Sequence, residues 1–235
     1  MVYLCTMNIT SHEPINFIQR KLQKNYRSIT GHFPSVKNNK SIAFESKLES
    51  ELFLSLEFDD DVESYLEQPQ ITITVDGKEK PYHADCFIKM FDGSKKRDTI
   101  VEAKYTSDLN KEENKEAYEK KFKAATITAN DMDMNFLVYT ELFHSETYIF
   151  NLDFLYRYKT QPRENKFDSK IKHILSKAPT PAIDVAKSIS TNPNEYMIVS
   201  NALWGLVAHG ELSTDLEKEL NMNSIIEMKN GNNSI

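Results

Sequence analysis

The chain alternates between stretches with helical spacing of apolar side chains and stretches with strand spacing. Residues 44–58 (FESKLESELFLSLEF) place Leu48, Leu52 and Leu56 one turn apart behind Ser46, a good N-cap, and predict an amphipathic helix. Glu49 projects inside the apolar arc of that helix, whereas Glu51 and Glu57 fall toward its edges. A carboxylate in that place needs a reason, and Ser46-Lys47-Leu48-Glu49 supplies one as a capping box. Residues 70–75, 82–91 and 99–105 then read as three strands. Asp76-Gly77 and Asp92-Gly93, dipeptides suited to tight hairpin turns, separate them, so an antiparallel meander is expected. Residues 110–129, with alternating charge blocks and pairs such as Glu116 with Lys120, predict a largely exposed helix. Residues 135–141 (NFLVYTE) predict a buried strand, and 148–158 a short strand or helix.

At Gln161-Pro162-Arg163-Glu164-Asn165 the pattern turns polar, a natural boundary, and the chain beyond it differs in kind. Residues 166–177, 180–189 and 192–209 read as helices, and 211–216 and 224–228 as short strands. Three helices and a small hairpin predict a winged-helix-like module. The expected organisation is a basic arm over 1–43, an α/β domain over 44–162, the winged-helix-like domain over 163–229 and a polar tail over 230–235.

Composition narrows the chemistry. With 235 residues, 40% of them hydrophobic, the chain can fill one full core and a smaller second one. The six glycines include no spacing that fits a dinucleotide fingerprint or a phosphate-cradling loop, which argues against nucleotide chemistry. Cys5 and Cys86 make neither a disulfide framework nor a CxxC pair, which fits a reducing compartment. No stretch approaches a membrane span, and the start lacks the basic and apolar regions of a signal peptide, so a cytoplasmic protein is expected.

The net charge of −6 argues at face value against nucleic acid, but it is unevenly spread. Residues 1–44 carry Arg20, Lys21, Lys24, Arg27, Lys37 and Lys40 against Glu13 alone. Residues 45–69 carry nine acids against Lys47. The arm also holds Phe17, Tyr26 and Phe33, a mixture suited to DNA phosphates, and its six basic residues are candidate DNA contacts.

Asp85 on the second strand and Glu102 and Lys104 on the third carry the candidate chemistry. Period-two alternation puts Glu102 and Lys104 on one face, and Asp85 can lie opposite. Hydrolysis of a phosphodiester calls for a hard divalent cation, Mg²⁺ with Mn²⁺ able to substitute, held by a few carboxylates. Asp85 and Glu102 supply such ligands, Glu49 can complete the shell, and Lys104 can orient the attacking water or offset charge on the phosphate. The competing reading is a solvated face with cross-strand ion pairs for the three strand residues and a helix cap for Glu49. His83 is a neighbour rather than a ligand.

At these residues the sequence resembles the TnsA endonuclease subunit of heteromeric bacterial transposases, a branch of the restriction-endonuclease-like PD-(D/E)xK nucleases. The resemblance runs through SKLESELFLSLEFDDDVESYLEQPQI, YHADCF, IVEAK, NFLVYTE and FLYRYKT, roughly residues 45–160. It implies a mixed sheet flanked by helices, with Glu49, Asp85 and Lys104 at the family's catalytic positions. Glu102 stands where a better-known member has glutamine, and so restores the pattern of the wider superfamily. Ala84 replaces a frequent proline.

The resemblance further implies cutting at the 5′ ends of a transposon, beside a TnsB-like transposase and a TnsC-like AAA+ ATPase, in some elements with a CRISPR-type targeting module. A stand-alone restriction or repair nuclease and a non-catalytic adaptor with the same fold are the alternatives. Residues 192–210 contain no Arg or Lys, and carry Tyr196, Met197, Val199, Leu203, Trp204 and Val207 as expected core. That composition favours docking of a protein over reading of DNA by the C-terminal module, and the family's contact with the ATPase lies in the same region.

Overall fold

The computed structural model describes residues 3–6, 16–19 and 29–229. Arg20, Lys21, Lys24 and Arg27 of the expected DNA-binding arm, Cys5, and the tail from 230 onward lie outside the residues whose structure is described in full. Two compact units divide the chain, Met1–Phe143 and His144–Ile235. Among the described residues no helix is long and apolar enough to cross a membrane.

The first unit contains β1 (Tyr3–Thr6), β2 (Asn16–Gln19), β3 (Gly31–Ser35), β4 (Lys40–Phe44), α1 (Lys47–Phe58), β5 (Val62–Glu67), β6 (Pro69–Val75), β7 (Lys78–His83), β8 (Cys86–Met90), β9 (Thr99–Ala103), α2 (Thr106–Leu109), α3 (Glu112–Asp131) and β10 (Asn135–Tyr139). One antiparallel sheet has the order β1-β2-β6-β7; a second is β10-β9-β8-β5, antiparallel except where β10 runs parallel to β9; and β3 and β4 form a two-stranded antiparallel sheet. This is an α/β unit with a mixed sheet flanked by helices.

The three-strand meander therefore needs correction. Asp76 and Gly77 both adopt positive φ and turn β6 into β7 as the dipeptide predicts. The run 82–91, however, is not one strand. Ala84 donates its N–H to Pro69 in the first sheet, and Asp85 donates its own to Val101 in the second. Across from this break Gln68, at φ +52°, separates β5 from β6 and donates its N–H to the Asp85 carbonyl. β5–β6 and β7–β8 thus form a long hairpin bent at a corner, and Asp85 occupies the corner. Alternation of apolar residues continues unbroken through the bend, so periodicity alone conceals it.

The crossover from β9 to the parallel β10 runs through α2 and α3, as a parallel pair requires. α3 is largely exposed, as its charge pattern predicts; its buried residues are Ala124, Ala125 and Ala129, which pack with Leu66, Ile71, Ile73, Tyr82, Phe87 and Ile100. Small side chains here let the helix lie close to the strands. α1 buries Leu48, Leu52, Phe53 and Leu56, and Phe53 stacks on Tyr65 at 5.4 Å between ring centroids.

Residues 31–43, read from sequence as part of the arm, form with Phe44 the β3–β4 hairpin, with Phe33 and Ile42 in the core. Glu57, expected at the edge of the apolar arc, is fully buried. It accepts hydrogen bonds from the Ser35 and Tyr65 hydroxyls at 2.6 and 2.8 Å and from the Val36 and Lys37 N–H groups at 3.2 Å each. The carboxylate therefore fastens the hairpin turn to α1, a long-range role with no helical signature.

The second unit contains α4 (Glu146–Thr160), α5 (Asp168–Leu175), β11 (Thr180–Pro181), α6 (Ala182–Ile189), α7 (Pro193–Ala208), β12 (Leu212–Ser213) and β13 (Ile225–Met228). Its strands form an antiparallel sheet ordered β11-β13-β12. α4 belongs to this unit and lies ahead of the polar stretch at 161–165; Phe154 meets Trp204 of α7 edge-on at 5.3 Å. Buried Asn151 ties α4 to the 216–220 loop by donating to the Leu216 and Lys218 carbonyls at 2.8 Å each and accepting from Leu220 N–H at 3.0 Å. Val199, Leu203, Trp204 and Val207 are core residues as expected, but Met197 is 68% exposed.

Candidate active site

The bent hairpin explains how three residues separated in sequence converge. β9 is buried along its whole length, so Glu102, at 2% exposure, keeps its carboxylate inside the unit. Lys104 follows β9 directly and continues the pairing with β10 through its N–H to the Tyr139 carbonyl at 2.9 Å. From the corner, Asp85 reaches across and accepts the Ala103 N–H at 2.7 Å. The Lys104 ammonium lies 2.9 Å from Glu102 Oε1 and 3.5 Å from Asp85 Oδ2, and donates to the Ala103 carbonyl at 3.1 Å. The predicted convergence of Asp85, Glu102 and Lys104 is present.

Two further residues hold Glu102. Tyr82 of β7 donates its hydroxyl to Glu102 Oε2 at 2.5 Å, and Lys121 of α3 brings its ammonium to 3.6 Å from Oε1. The same ammonium lies 4.6 Å from the Tyr82 ring centroid. Sequence reasoning misses both. Tyr82 reads as an ordinary alternating strand position, and Lys121 as one charge among many on an exposed helix.

Glu49 performs the capping role. Its carboxylate accepts from the Glu45 N–H and the Ser46 hydroxyl, both at 2.9 Å, while Ser46 Oγ accepts the Glu49 N–H at 3.1 Å. Burial pushes the Glu49 carboxyl up, and those two cap bonds and the Lys104 charge pull it back. Glu49 is thus close enough to interact electrostatically with the site without a direct bond to it.

The electrostatics follow from burying acids together. Burial first, then the neighbouring Glu102 charge, pushes the Asp85 carboxyl up to about 7, against the opposing pull of Lys104. For Lys104, burial alone would lower the amine, but the charges of Asp85 and Glu102 reverse this and hold it above the ordinary lysine range. Burial and the Glu102 charge also keep the Tyr82 phenol protonated, as its hydrogen bond requires. Three acids face two ammonium groups here, so with all of them ionised the site carries a deficit of positive charge.

Residues 59–141 match the family model described as TnsA-like endonuclease N terminal. That stretch of the chain is similar to TnsA-like endonucleases. No curated protein matches the chain. The TnsA-like segment contains Asp85, Glu102 and Lys104, together with Tyr82 and Lys121; it begins beyond α1, so Glu49 lies outside it.

Of the expected DNA contacts that are described, Lys37 donates to the carbonyls of Asp59, at 2.7 Å, and Val62, and its half-buried amine is lowered by burial. Lys40 lies 3.7 Å from Glu67. Lys37 is therefore tied to the hairpin anchor around Glu57. Among the described residues, no three His, Cys, Asp or Glu side chains are gathered as a ready metal cluster.

Proposed function

We propose that the protein is a metal-dependent DNA endonuclease subunit of a heteromeric transposase, cutting the 5′ ends of a transposon during cut-and-paste transposition. The meeting of Asp85, Glu102 and Lys104 within the TnsA-like domain carries this reading. The donor set fits a hard divalent ion, because Mg²⁺ is commonly held by one or two carboxylates plus waters and substrate phosphate. Asp85 and Glu102 would hold it, and the deficit of positive charge around them favours its entry. When bound, such an ion polarises the phosphate and acidifies a water.

The chain's own residues do the rest. Tyr82 and Lys121 fix the Glu102 carboxylate, the Ala103 N–H fixes that of Asp85, and Glu49 adds negative charge from its cap. Lys104, held between both acids, is placed to orient the nucleophilic water or meet charge developing on the phosphate.

The order α5, β11, α6, α7, β12, β13 supports a winged-helix reading of the second unit. α7 carries no Arg or Lys, and exposes Met197 at 68% and Ile198 at 42%. These features support docking of a protein such as the TnsC-like ATPase, with transposon-end DNA and a TnsB-like transposase engaged elsewhere on the chain. Arg20, Lys21, Lys24 and Arg27 remain the proposed phosphate contacts of the arm.

The test is Asp85→Ala in the excision reaction reconstituted with the transposase and ATPase partners. Loss of cutting at the 5′ ends, with cutting at the 3′ ends retained, is the expected result; normal double-strand excision would remove the catalytic assignment. Cutting by the purified chain alone would instead favour a stand-alone nuclease.

A further inference from the structure

The two ammonium groups at the site differ in how much donor capacity is already used. Lys104 has three N–H bonds and faces three acceptors, Glu102 Oε1, the Ala103 carbonyl and Asp85 Oδ2. Lys121 has only Glu102 Oε1 at 3.6 Å, beyond good hydrogen-bond range, and the face of Tyr82. Among the described residues it makes no hydrogen bond, and its side chain is 36% exposed. A cation with donors left over, at the open edge of an acidic site, suits an incoming anion.

Its position is also fixed beforehand. Tyr118 stacks on Phe122 at 5.4 Å, Phe122 meets Phe136 at 5.8 Å, and Phe136 meets Tyr82 at 6.3 Å. This row of rings runs from α3 through β10 to β7 and holds the turn that carries Lys121 beside Tyr82. The adjacent Lys120 is different: it is 51% exposed and paired with Glu116 at 2.8 Å on its own helix.

Resting on the nuclease reading, we propose that Lys121 is a substrate-contacting residue of the site, whose ammonium donates to a phosphate oxygen of the DNA strand being cut. Its charge offsets the repulsion that half-buried Asp85 and buried Glu102 exert on a polyanion, while the Tyr82 face keeps the side chain beside Glu102. Lys104 lies between the acids at the reacting centre, whereas Lys121 stands at its edge, where the flanking strand would pass.

The experiment measures binding of the full chain to a fluorescently labelled duplex of fixed length, across a salt series with chelator present, and cleavage by the complex reconstituted with its partners. Loss of one duplex phosphate contact lowers the slope of log K against log salt by about 0.9, and affinity at 0.1 M salt by about tenfold. Lys121→Gln should show both changes, Lys121→Arg should restore them, and Lys120→Gln should leave the slope at the wild-type value. An unchanged slope in Lys121→Gln overturns the inference, as does an equal fall in Lys120→Gln, which would make overall helix charge the cause. If wild type binds and cuts while Lys121→Gln behaves identically, only this inference fails; if wild type neither binds nor cuts with its partners, the nuclease reading fails with it.

Discussion

Replacing Asp85 by asparagine should stabilise the metal-free fold while abolishing cleavage. Burial and Glu102 hold the Asp85 carboxyl at about 7 in the folded chain, against an ordinary value of 3.8. Because the folded value is the raised one, the stability Asp85 contributes is complete below the unfolded value and is lost as pH rises through 7. Above that pH the ionised carboxylate costs up to about 4 kcal/mol relative to a neutral group, from roughly three pH units at about 1.4 kcal/mol each.

Asparagine has nearly the same shape, and its carbonyl oxygen can keep the 2.7 Å bond from the Ala103 N–H. The variant should therefore gain about 2 to 4 kcal/mol at pH 8 in chelator, shrinking toward zero at pH 4. Trp204, the sole tryptophan, belongs to the second unit, so its fluorescence follows the wrong part of the chain. Hydrogen exchange of peptides spanning β8 and β9 is the suitable assay, with protection rising at least about thirtyfold at pH 8. A variant no more protected than wild type at pH 8, or equally more protected at pH 4, would refute the reasoning. Adding Mg²⁺ should raise protection in wild type and leave the variant unchanged, because only wild type retains both acids.

Lys104→Met should reduce single-turnover cleavage by at least about a hundredfold and lower protection of β9, because Glu102 and Asp85 then face each other without the ammonium between them. Glu57→Ala should cost about 3 to 5 kcal/mol in urea unfolding, since two hydroxyls and two backbone N–H groups lose one buried acceptor. Asn151→Ala should destabilise the second unit by about 2 to 3 kcal/mol, read directly by Trp204 fluorescence, with little change in protection of β9. Ser46→Ala should cost about 1 kcal/mol through loss of the α1 cap, measured by denaturation.

The local patterns were legible in the sequence. Leucine spacing located α1, the Asp76-Gly77 dipeptide located the β6–β7 turn, and alternation around Glu102 and Lys104 put the two on one face, where they meet at 2.9 Å. Each depends on residues a few positions apart, whose geometry the backbone period fixes. The capping role of Glu49 was legible for the same reason, because a capping box spans only four residues. The α/β class of the first unit followed, since helices and strands alternate with a long charged helix before the last strand of the mixed sheet.

Tertiary structure alone decided what depends on partners far along the chain. The corner at Asp85 arises because Ala84 and Asp85 pair with different sheets, a choice that the uninterrupted alternation from Tyr82 to Met90 does not encode. Glu57 reads as a helix-edge residue until residues 35–37 fold over it and need its carboxylate. Tyr82 and Lys121 become parts of the site only when β7 and α3 meet at Glu102, 20 and 19 residues from them in sequence. Burial then raises the Asp85 carboxyl, because the cost of a charge depends on how much water and opposing charge the completed fold leaves around it. Short-range spacing was enough to nominate Asp85, Glu102 and Lys104 as candidates; the folded packing brought them together, added Tyr82 and Lys121, and set the electrostatic cost of each charge.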